Sequence, residues 1–147
     1  MGTNNIFSVI YPYCMSKSVP VPSPSALAAG LLEDNGRALF LVRKNPMGIE
    51  TVELPYALLL RGENPVARLT DAFRQQTGID AQVHDVLFER RHNIGTRKRR
   101  TFVPVLVFKI TAKNASAKPA KEFSGCKWIS SADLPKYKLA RNCTWLL

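Results

Sequence analysis

With 147 residues, the chain has the length of a single domain and enough residues to bury a hydrophobic core. Its hydrophobic content of 46% and charged content of 22% are ordinary for a soluble globular protein. No apolar run approaches the roughly 20 residues that span a bilayer, which argues against a membrane protein. The net charge of +10 is unusual and favours an anionic partner, such as a nucleotide, a nucleic acid or another phosphate-rich surface.

The cysteines and the N-terminal residues bear on the cellular compartment. Cys14, Cys126 and Cys143 are odd in number and far apart, so they predict reduced thiols rather than a disulfide framework or a CxxC metal pair. The first residues carry no basic stretch before a short apolar run, and this pattern is not typical of a secretory signal. We therefore expect a cytoplasmic protein with no membrane partner.

The N-terminal third of the chain predicts an extended segment followed by a β-hairpin. Residues 1–23 end in alternating prolines and predict a polyproline-like segment that precedes one domain over residues 24–147. Two apolar runs, at 26–33 and 37–43, predict antiparallel strands. The Asn35-Gly36 pair between them predicts a type I′ turn, because this turn needs positive φ at both central residues.

The middle of the chain predicts a helix over residues 65–77. Asn64 is a favourable N-cap, Pro65 suits the first helical position and Gly78 suits the position after the last turn. Apolar side chains at i, i+3 and i+7 predict one buried stripe. These side chains are Val66, Leu69 and Phe73.

The C-terminal half predicts three strands and a final helix. The strands are expected at 82–90, 101–110 and 126–129, and the helix is expected to start near residue 131 with Ser130 or Ser131 as its cap. Pro104 cannot donate to a ladder, so its strand should have an edge stretch or a bulge there. The order β-β-α-β-β-β-α indicates an α+β domain with a mixed sheet.

The stretch from Leu54-Pro55 to Thr77-Gly78-Ile79 resembles the box of the Nudix (MutT-like) hydrolases, Gly-x5-Glu-x7-Arg-Glu-φ-x-Glu-Glu-x-Gly-φ, where φ is bulky and apolar. Gly62-Glu63 matches the usual Gly-Glu pair, and the flanking strands around residues 34–43 and 122–135 resemble the family's opening and ending. The resemblance covers residues 24–147. It implies a Nudix-like α/β/α sandwich, that is, a mixed β-sheet packed between helices.

The resemblance also implies a metal site, but the box lacks the residues that build one. In active members, box carboxylates hold Mg²⁺ or Mn²⁺, which bridges diphosphate oxygens and activates water. Those carboxylate positions fall here on Ala72, Gln75 and Gln76, on a face expected to lie opposite the buried stripe. Glu63 is the only retained box acid, and we expect Asp71, at the position of the box arginine, to face it unless Arg68 or Arg74 intervenes. The box therefore predicts no bound metal or other cofactor and no diphosphate hydrolysis.

An alternative keeps the enzyme. A working Mg²⁺- or Mn²⁺-dependent hydrolase of nucleoside diphosphate-linked compounds would need carboxylates from outside the helix. Glu50, Glu53, Glu89 and Glu122 are the candidates, although each is also typical of a solvated surface charge.

Residues 90–100, RRHNIGTRKRR, hold six Lys or Arg and no acid. In a hairpin, Arg90 and Arg91 end one strand, Arg97 and Arg99 start the next, and the two clusters converge where they can bind a phosphate or a nucleic-acid backbone. The alternative is a solvated, mobile loop whose charge aids solubility. The aromatic residues that flank the loop are predicted to be buried by their strand spacing. These are Phe88, Phe102 and Phe108.

Five further residues are candidates for ligand contact. The resemblance places Tyr56 at the mouth of the expected ligand pocket, where it can stack on a base or fill a disused metal site. Arg43 ends the second strand, where related domains often contact substrate phosphate. Arg68, Gln75 and Gln76 lie on the box helix.

Three hypotheses follow. The first is a catalytically degenerate Nudix-fold protein that binds a nucleotide, a nucleotide-linked ligand or RNA through a basic surface. The second is the active hydrolase with relocated metal ligands. The third is a protein-interaction scaffold, for which a homodimer is one form. The expected partner is a phosphorylated small molecule or a nucleic acid.

Overall fold

A computed structural model describes residues 23–147, so the prediction for residues 1–22 and for Cys14 lies outside the described residues. Within them the chain forms seven strands and one α-helix, followed by two 3-10 segments at Leu134–Lys136 and Arg141–Leu146. The elements are β1 (Ala26–Asp34), β2 (Arg37–Lys44), β3 (Glu50–Glu53), β4 (Tyr56–Leu59), α1 (Pro65–Thr77), β5 (Gln82–Asn93), β6 (Phe102–Thr111) and β7 (Gly125–Ser130).

The predicted turn and helix caps are confirmed. Asn35 has φ 54° and Gly36 has φ 75°, as the type I′ turn between β1 and β2 requires. The Asn64 side chain accepts hydrogen bonds from the N–H groups of Val66 and Ala67 at the start of α1. Gly78 ends α1 in the left-handed conformation, and its N–H donates to the Arg74 carbonyl.

Two parts of the secondary structure differ from the prediction. The strands β3 and β4 were not expected, because each has only 4 residues and offers too short a pattern for periodicity to be read. The predicted C-terminal α-helix is wrong, and 3-10 turns replace it. A helix capped at Ser130 or Ser131 would place Pro135 in its interior, where the ring clashes with the preceding turn and no N–H is present to bond.

The strands form one mixed sheet in the order β3-β2-β1-β6-β5, with β4 also paired to β1 and β7 to β2. The β1–β6 pair is parallel, and the other pairs are antiparallel. Pro104 opposes Arg91 of β5 and lies before the first β1–β6 pair, Leu27 with Val105, so it occupies the expected edge stretch. The register shifts fall in β5 instead, between Val83 and Phe88.

Each face of the sheet has its own hydrophobic core. On one face, Leu69 and Phe73 of α1 pack against the β1 residues Ala28 and Leu32. On the other face, side chains of the C-terminal segment pack against Leu27 and Ala29 of β1. These side chains are Leu134, Cys143 and Trp145. The sheet is therefore sandwiched between α1 and the C-terminal 3-10 segments, which is an α+β Nudix-like arrangement.

The buried face of α1 is rotated from the predicted one. Val66 is 42% exposed, whereas Ala72 is buried beside Leu69 and Phe73. Ala72 therefore belongs to the buried stripe rather than to the face opposite it, because it follows Leu69 by three positions. No helix among residues 23–147 is long and apolar enough to cross a membrane.

Candidate functional site

The loop before α1 is held by its own hydrogen bonds. Glu63 accepts a hydrogen bond from the Leu60 N–H at 2.7 Å, and its second oxygen lies 3.6 Å from Nε of Arg68. Of the two arginines that the sequence offered as partners in this region, Arg68 is therefore the one beside Glu63. Arg74 pairs with Asp80 at 2.8 Å instead. The retained box acid thus holds the loop against the first turns of the helix.

Gln76 uses both ends of its amide to hold β4. Its Oε1 accepts a hydrogen bond from the Tyr56 N–H at 3.1 Å, and its Nε2 donates to the Tyr56 carbonyl at 2.8 Å. The neighbouring Gln75 is exposed, and Ala72 is buried and has no ligand atom. The three positions that the resemblance assigns to metal binding therefore provide an apolar contact, a structural clamp and a solvated side chain.

The other carboxylates do not assemble a metal site. Glu50 pairs with Lys127 at 3.3 Å, Glu53 is buried against Arg43, and Glu89 and Glu122 are exposed. Within residues 23–147, no group of three or more His, Cys, Asp or Glu side chains is placed to hold a metal ion. Because Mg²⁺ and Mn²⁺ need several oxygen ligands with compensating charge, the donor set in this region does not fit such an ion.

A cavity of ≈ 480 Å³ opens instead between β2, β3, the end of β5 and the C-terminal segment. Glu53, on β3, is fully buried in its wall, and its Oε1 binds Nε of Arg43 on β2 at 2.5 Å. The Arg43 guanidinium also lies 4.6 Å from the centre of the Phe123 ring. These two contacts fix the position of Arg43, although 43% of its side chain is exposed.

Two polar atoms of the cavity wall have no hydrogen-bond partner. They are Oε2 of Glu53 and Oδ1 of Asn142, and both are buried. A buried acceptor without a donor costs about 1–3 kcal/mol, so such groups are uncommon unless something else supplies the donor. Both atoms belong to residues that line the cavity, and because almost no surface of either atom is open, a molecule bound there can donate to them only after the side chain turns towards it.

The cavity rim is cationic, with one neutral group. Burial lowers the pKa of His92, and the nearby charge of Arg141 lowers it further, so the imidazole is neutral near pH 7. Arg141 donates a hydrogen bond to the Gly95 carbonyl at 3.1 Å, which ties the C-terminal segment to the β5–β6 hairpin. Arg43 and Arg141 thus flank the opening of a cavity whose wall includes Glu53 and Asn142.

The structure separates the predicted ligand-binding residues into three places. Arg43 and Tyr56 line the 480 Å³ cavity. Arg68, Gln75 and Gln76 lie on α1 and do not line it. The remaining arginines lie at the end of the β5–β6 hairpin, where two of them line a second cavity of ≈ 390 Å³. They are Arg90, Arg91, Arg97 and Arg99, and Arg91 and Arg97 are the two in the second cavity.

The sequence predicted Glu53 to be a metal ligand or a solvated surface charge, whereas it is buried, and it gave no indication of Arg141 and Asn142. A glutamate between Val52 and Leu54 in a short apolar run was an available signal for a buried carboxylate. No local pattern marks Arg141-Asn142, because only the fold brings the C-terminal segment to β3. Of the three flanking aromatics, Phe108 is buried as predicted, but Phe102 is 47% exposed, since it precedes the part of β6 that pairs with β1.

The fold is shared with many solved structures, several of them Nudix hydrolases. The E. coli ORF135 protein matches with a TM-score of 0.64 and 19% identity, over 82% of this chain and 84% of that one. A MutT protein from Methanosarcina mazei Go1 matches with a TM-score of 0.62 and 20% identity, over 84% of this chain and 88% of that one. The NUDIX domain of Shewanella oneidensis NrtR, solved with ADP ribose, matches with a TM-score of 0.57 and 15% identity, over 90% of each chain.

A scan against protein-family models finds no match to the sequence, and a search of the curated proteins finds none either. Similarity of this kind establishes architecture rather than activity. The architecture of this chain is a mixed sheet that is covered on both faces, with a loop and a helix between β4 and β5. The chain therefore has the Nudix fold.

Proposed function

We propose that the protein binds a nucleotide or a nucleotide-linked phosphorylated small molecule in the cavity between Arg43 and Arg141, and that it does not hydrolyse diphosphates with a metal. The observation that carries this proposal is the pair of buried acceptors without partners, Glu53 Oε2 and Asn142 Oδ1, on two residues that line a cavity with a cationic rim. Such a wall is complementary to a ligand with N–H or O–H donors at one end and negative charge at the other.

The chemistry of a nucleotide satisfies both requirements. Its base or ribose supplies donors for Glu53 and Asn142, and its phosphates carry the charge that Arg43 and Arg141 attract. A cavity of ≈ 480 Å³ lies within the range of about 300–1,000 Å³ that is common for small-ligand sites. The NrtR domain with the same fold was solved with ADP ribose, which makes ADP ribose a suitable first ligand.

The catalytic part of the proposal rests on the helix. With Gln76 in a structural clamp and Ala72 buried, the described α1 offers an ion a single carboxylate, that of Asp71. In the alternative, an active hydrolase, Glu53 would have to leave Arg43 and act with a distant acid. In the scaffold alternative, including a homodimer, the cavity would stay without a ligand. We place the protein in the cytoplasm, where nucleotides are abundant and thiols such as that of Cys126 stay reduced.

Calorimetric titration tests the binding proposal. ADP ribose, AMP, GMP, CMP and UMP are titrated in the presence of a chelator and again with Mg²⁺. We expect at least one ligand to bind without metal, and the Asn142→Ala variant to bind it about tenfold more weakly, as the loss of one hydrogen bond of ~1.4 kcal/mol predicts.

The matched control is Asn114→Ala, because Asn114 is exposed and lies outside the cavity. Absence of binding across the panel, or an equal loss in the control, would overturn the proposal. Turnover of nucleotides with Mg²⁺ or Mn²⁺ that disappears in Glu63→Gln would favour the hydrolase. A dimer in light scattering with no ligand bound would favour the scaffold.

A further inference from the structure

The β5–β6 hairpin ends in a concentration of positive charge that the small-molecule cavity does not use. We call residues 90–102 the basic tip. Six of its residues are Lys or Arg and none is acidic. The ion pairs found in the described part of the chain involve cations elsewhere, namely Arg43, Arg68, Arg74, Lys127 and Lys136. The charge of the basic tip is therefore available to an external anion.

The basic tip is a defined turn rather than an unstructured loop. Oδ1 of Asn93 accepts hydrogen bonds from the N–H groups of Gly95 and Thr101, both at 2.9 Å. The Thr96 N–H donates to the Arg99 carbonyl, and the Arg99 N–H donates to Oγ1 of Thr96. These bonds fix the backbone from which the arginine side chains project, which lowers the backbone entropy that a ligand must remove on binding.

Gly95 is required for this turn. A Cβ atom at that position would lie 2.1 Å from the carbonyl oxygen of Arg99, which is far inside van der Waals contact. Any other residue at position 95 must therefore change the backbone of the basic tip, although it would leave every charge in place.

Aromatic rings accompany the arginines. The Arg91 guanidinium lies 5.4 Å from the centre of the Phe102 ring, and that of Arg90 lies 4.5 Å from the centre of the Phe88 ring. Phe102 is 47% exposed, because it lies in the stretch of β6 that precedes the pairing with β1. Together with Arg97, it borders the cavity of ≈ 390 Å³ that Trp145 closes on the other side.

We propose that the basic tip is a second site, which binds single-stranded nucleic acid by contacting its phosphates with Arg97 and Arg99 and stacking a base on Phe102. Unneutralised arginines on a well-defined turn fit a phosphate backbone. An exposed aromatic ring beside them fits an unstacked base, and only a single strand offers one. Arg97, Arg99 and Phe102 do not line the small-molecule cavity, although the two cavities adjoin and share His92, Asn93 and Arg141 in their walls.

Fluorescence anisotropy with labelled 12-nucleotide oligo(U) and oligo(dT), over a range of NaCl concentrations, tests the proposal. The Arg97→Gln/Arg99→Gln variant should bind at least tenfold more weakly at low salt. The slope of log K against log[salt] should fall in magnitude by about 1.4, because each phosphate contact to a single strand contributes about 0.7. The Phe102→Leu variant keeps the charge and should bind at least about fivefold more weakly, as the loss of one base stack predicts.

The matched control is Lys109→Gln/Lys113→Gln, which removes the same charge at the opposite end of β6, where both lysines are exposed. At about 0.1 M NaCl it should bind within about threefold of the unchanged protein, since charges farther away than the Debye length of about 10 Å are largely screened. Gly95→Ala should weaken binding while its melting temperature shows that the domain is still folded. Binding should persist at saturating ADP ribose.

Three results would overturn the proposal. An equal loss in the lysine control would show attraction by net charge alone. Unchanged binding by both Phe102→Leu and Gly95→Ala would show that neither stacking nor the turn contributes. A duplex of the same length that binds as tightly as the single strand would exclude an unstacked base. If no nucleotide binds in the calorimetric titrations, the anisotropy measurements can still be interpreted, because their variants change residues of the basic tip and not Asn142.

Discussion

Glu53 and Arg43 form the least exposed charge pair in the described part of the chain. The Glu53 side chain is fully buried, and its only charged partner is Arg43, which is 43% exposed. Replacing Arg43 by leucine leaves the carboxylate uncompensated. A fully buried pair would lose about 3–5 kcal/mol in this way, and we expect about 2–3 kcal/mol of unfolding free energy here because solvent reaches Arg43.

Urea unfolding of a double-mutant cycle measures this coupling. In the Glu53→Gln background, Arg43→Leu should cost less than 1 kcal/mol, since no buried charge remains to be compensated. Equal costs in both backgrounds would mean that Arg43 stabilises the fold through its contact with Phe123 alone.

His92 makes stability depend on pH. Burial, and then the charge of Arg141, lower its pKa in the folded protein below the usual value of about 6.5. The unfolded chain therefore binds the proton more readily, so stability is lost as pH falls through about 6.5 towards the folded pKa and rises again with increasing pH.

The unfolding free energy of the unchanged protein and of His92→Gln, measured between about pH 5 and 8, checks this prediction. His92→Gln should show a weaker fall on acidification. His84→Gln is the matched control, because His84 is exposed near the start of β5. If acidification weakens His92→Gln as much as the unchanged protein, another group causes the dependence.

At the scale of elements, one side chain ties α1 to the sheet. Both amide atoms of Gln76 bond the main chain of Tyr56, in the strand that pairs with β1. Gln76→Ala removes two hydrogen bonds and leaves a half-buried N–H and C=O without these partners, so we expect a loss of about 1–3 kcal/mol. Gln75→Ala should change stability by less than about 0.5 kcal/mol, because Gln75 is exposed. Similar losses in thermal unfolding of the two variants would argue against the clamp.

The packing of α1 on β1 leaves no room at Gly30. A Cβ atom there would lie 2.8 Å from Cε2 of Phe73 and 2.9 Å from Cγ1 of Ile110. Gly30→Ala should therefore cost about 1–3 kcal/mol as the core is forced apart. Gly125→Ala in β7 is the matched control, since nothing lies within 4 Å of the added atom. Denaturant midpoints compare the two, and a neutral Gly30→Ala would mean that Phe73 moves freely.

The elements that the sequence predicts well are those with local signals. The Asn35-Gly36 turn and the caps Asn64 and Gly78 are recognisable because each needs a particular backbone angle or side-chain acceptor at one position. The short strands β3 and β4 carry no such signal, since their pairing with β2 and β1 decides them. The missing C-terminal helix was foreseeable from Pro135, whose interior position deserved more weight than the capping serines.

For the whole molecule, the candidate site is harder to predict than the fold. The resemblance of the box placed the loop and α1, and it drew attention to Gln75 and Gln76 on the helix. The cavity lies elsewhere, because β3 carries Glu53 to a wall completed by Asn142 from the other end of the chain. Such a contact arises only in the assembled fold and leaves no fixed spacing in the sequence, so only the three-dimensional structure brings these residues together.

The net positive charge of the molecule and the scattered positions of its carboxylates predict that divalent cations do not stabilise the folded protein. If a site bound Mg²⁺ or Mn²⁺ with a Kd of about a tenth of the added ion concentration, the ion would stabilise the folded state by about 1.4 kcal/mol. The melting temperature would then rise by about 3–6 °C. The net charge is +10, and residues 23–147 contain no cluster of metal ligands. We therefore expect millimolar MgCl₂ or MnCl₂ to shift the melting temperature no more than NaCl of equal ionic strength does. A metal-specific rise that disappears in both Glu53→Gln and Glu63→Gln would instead show that these two acids bind an ion together, and would favour the active hydrolase.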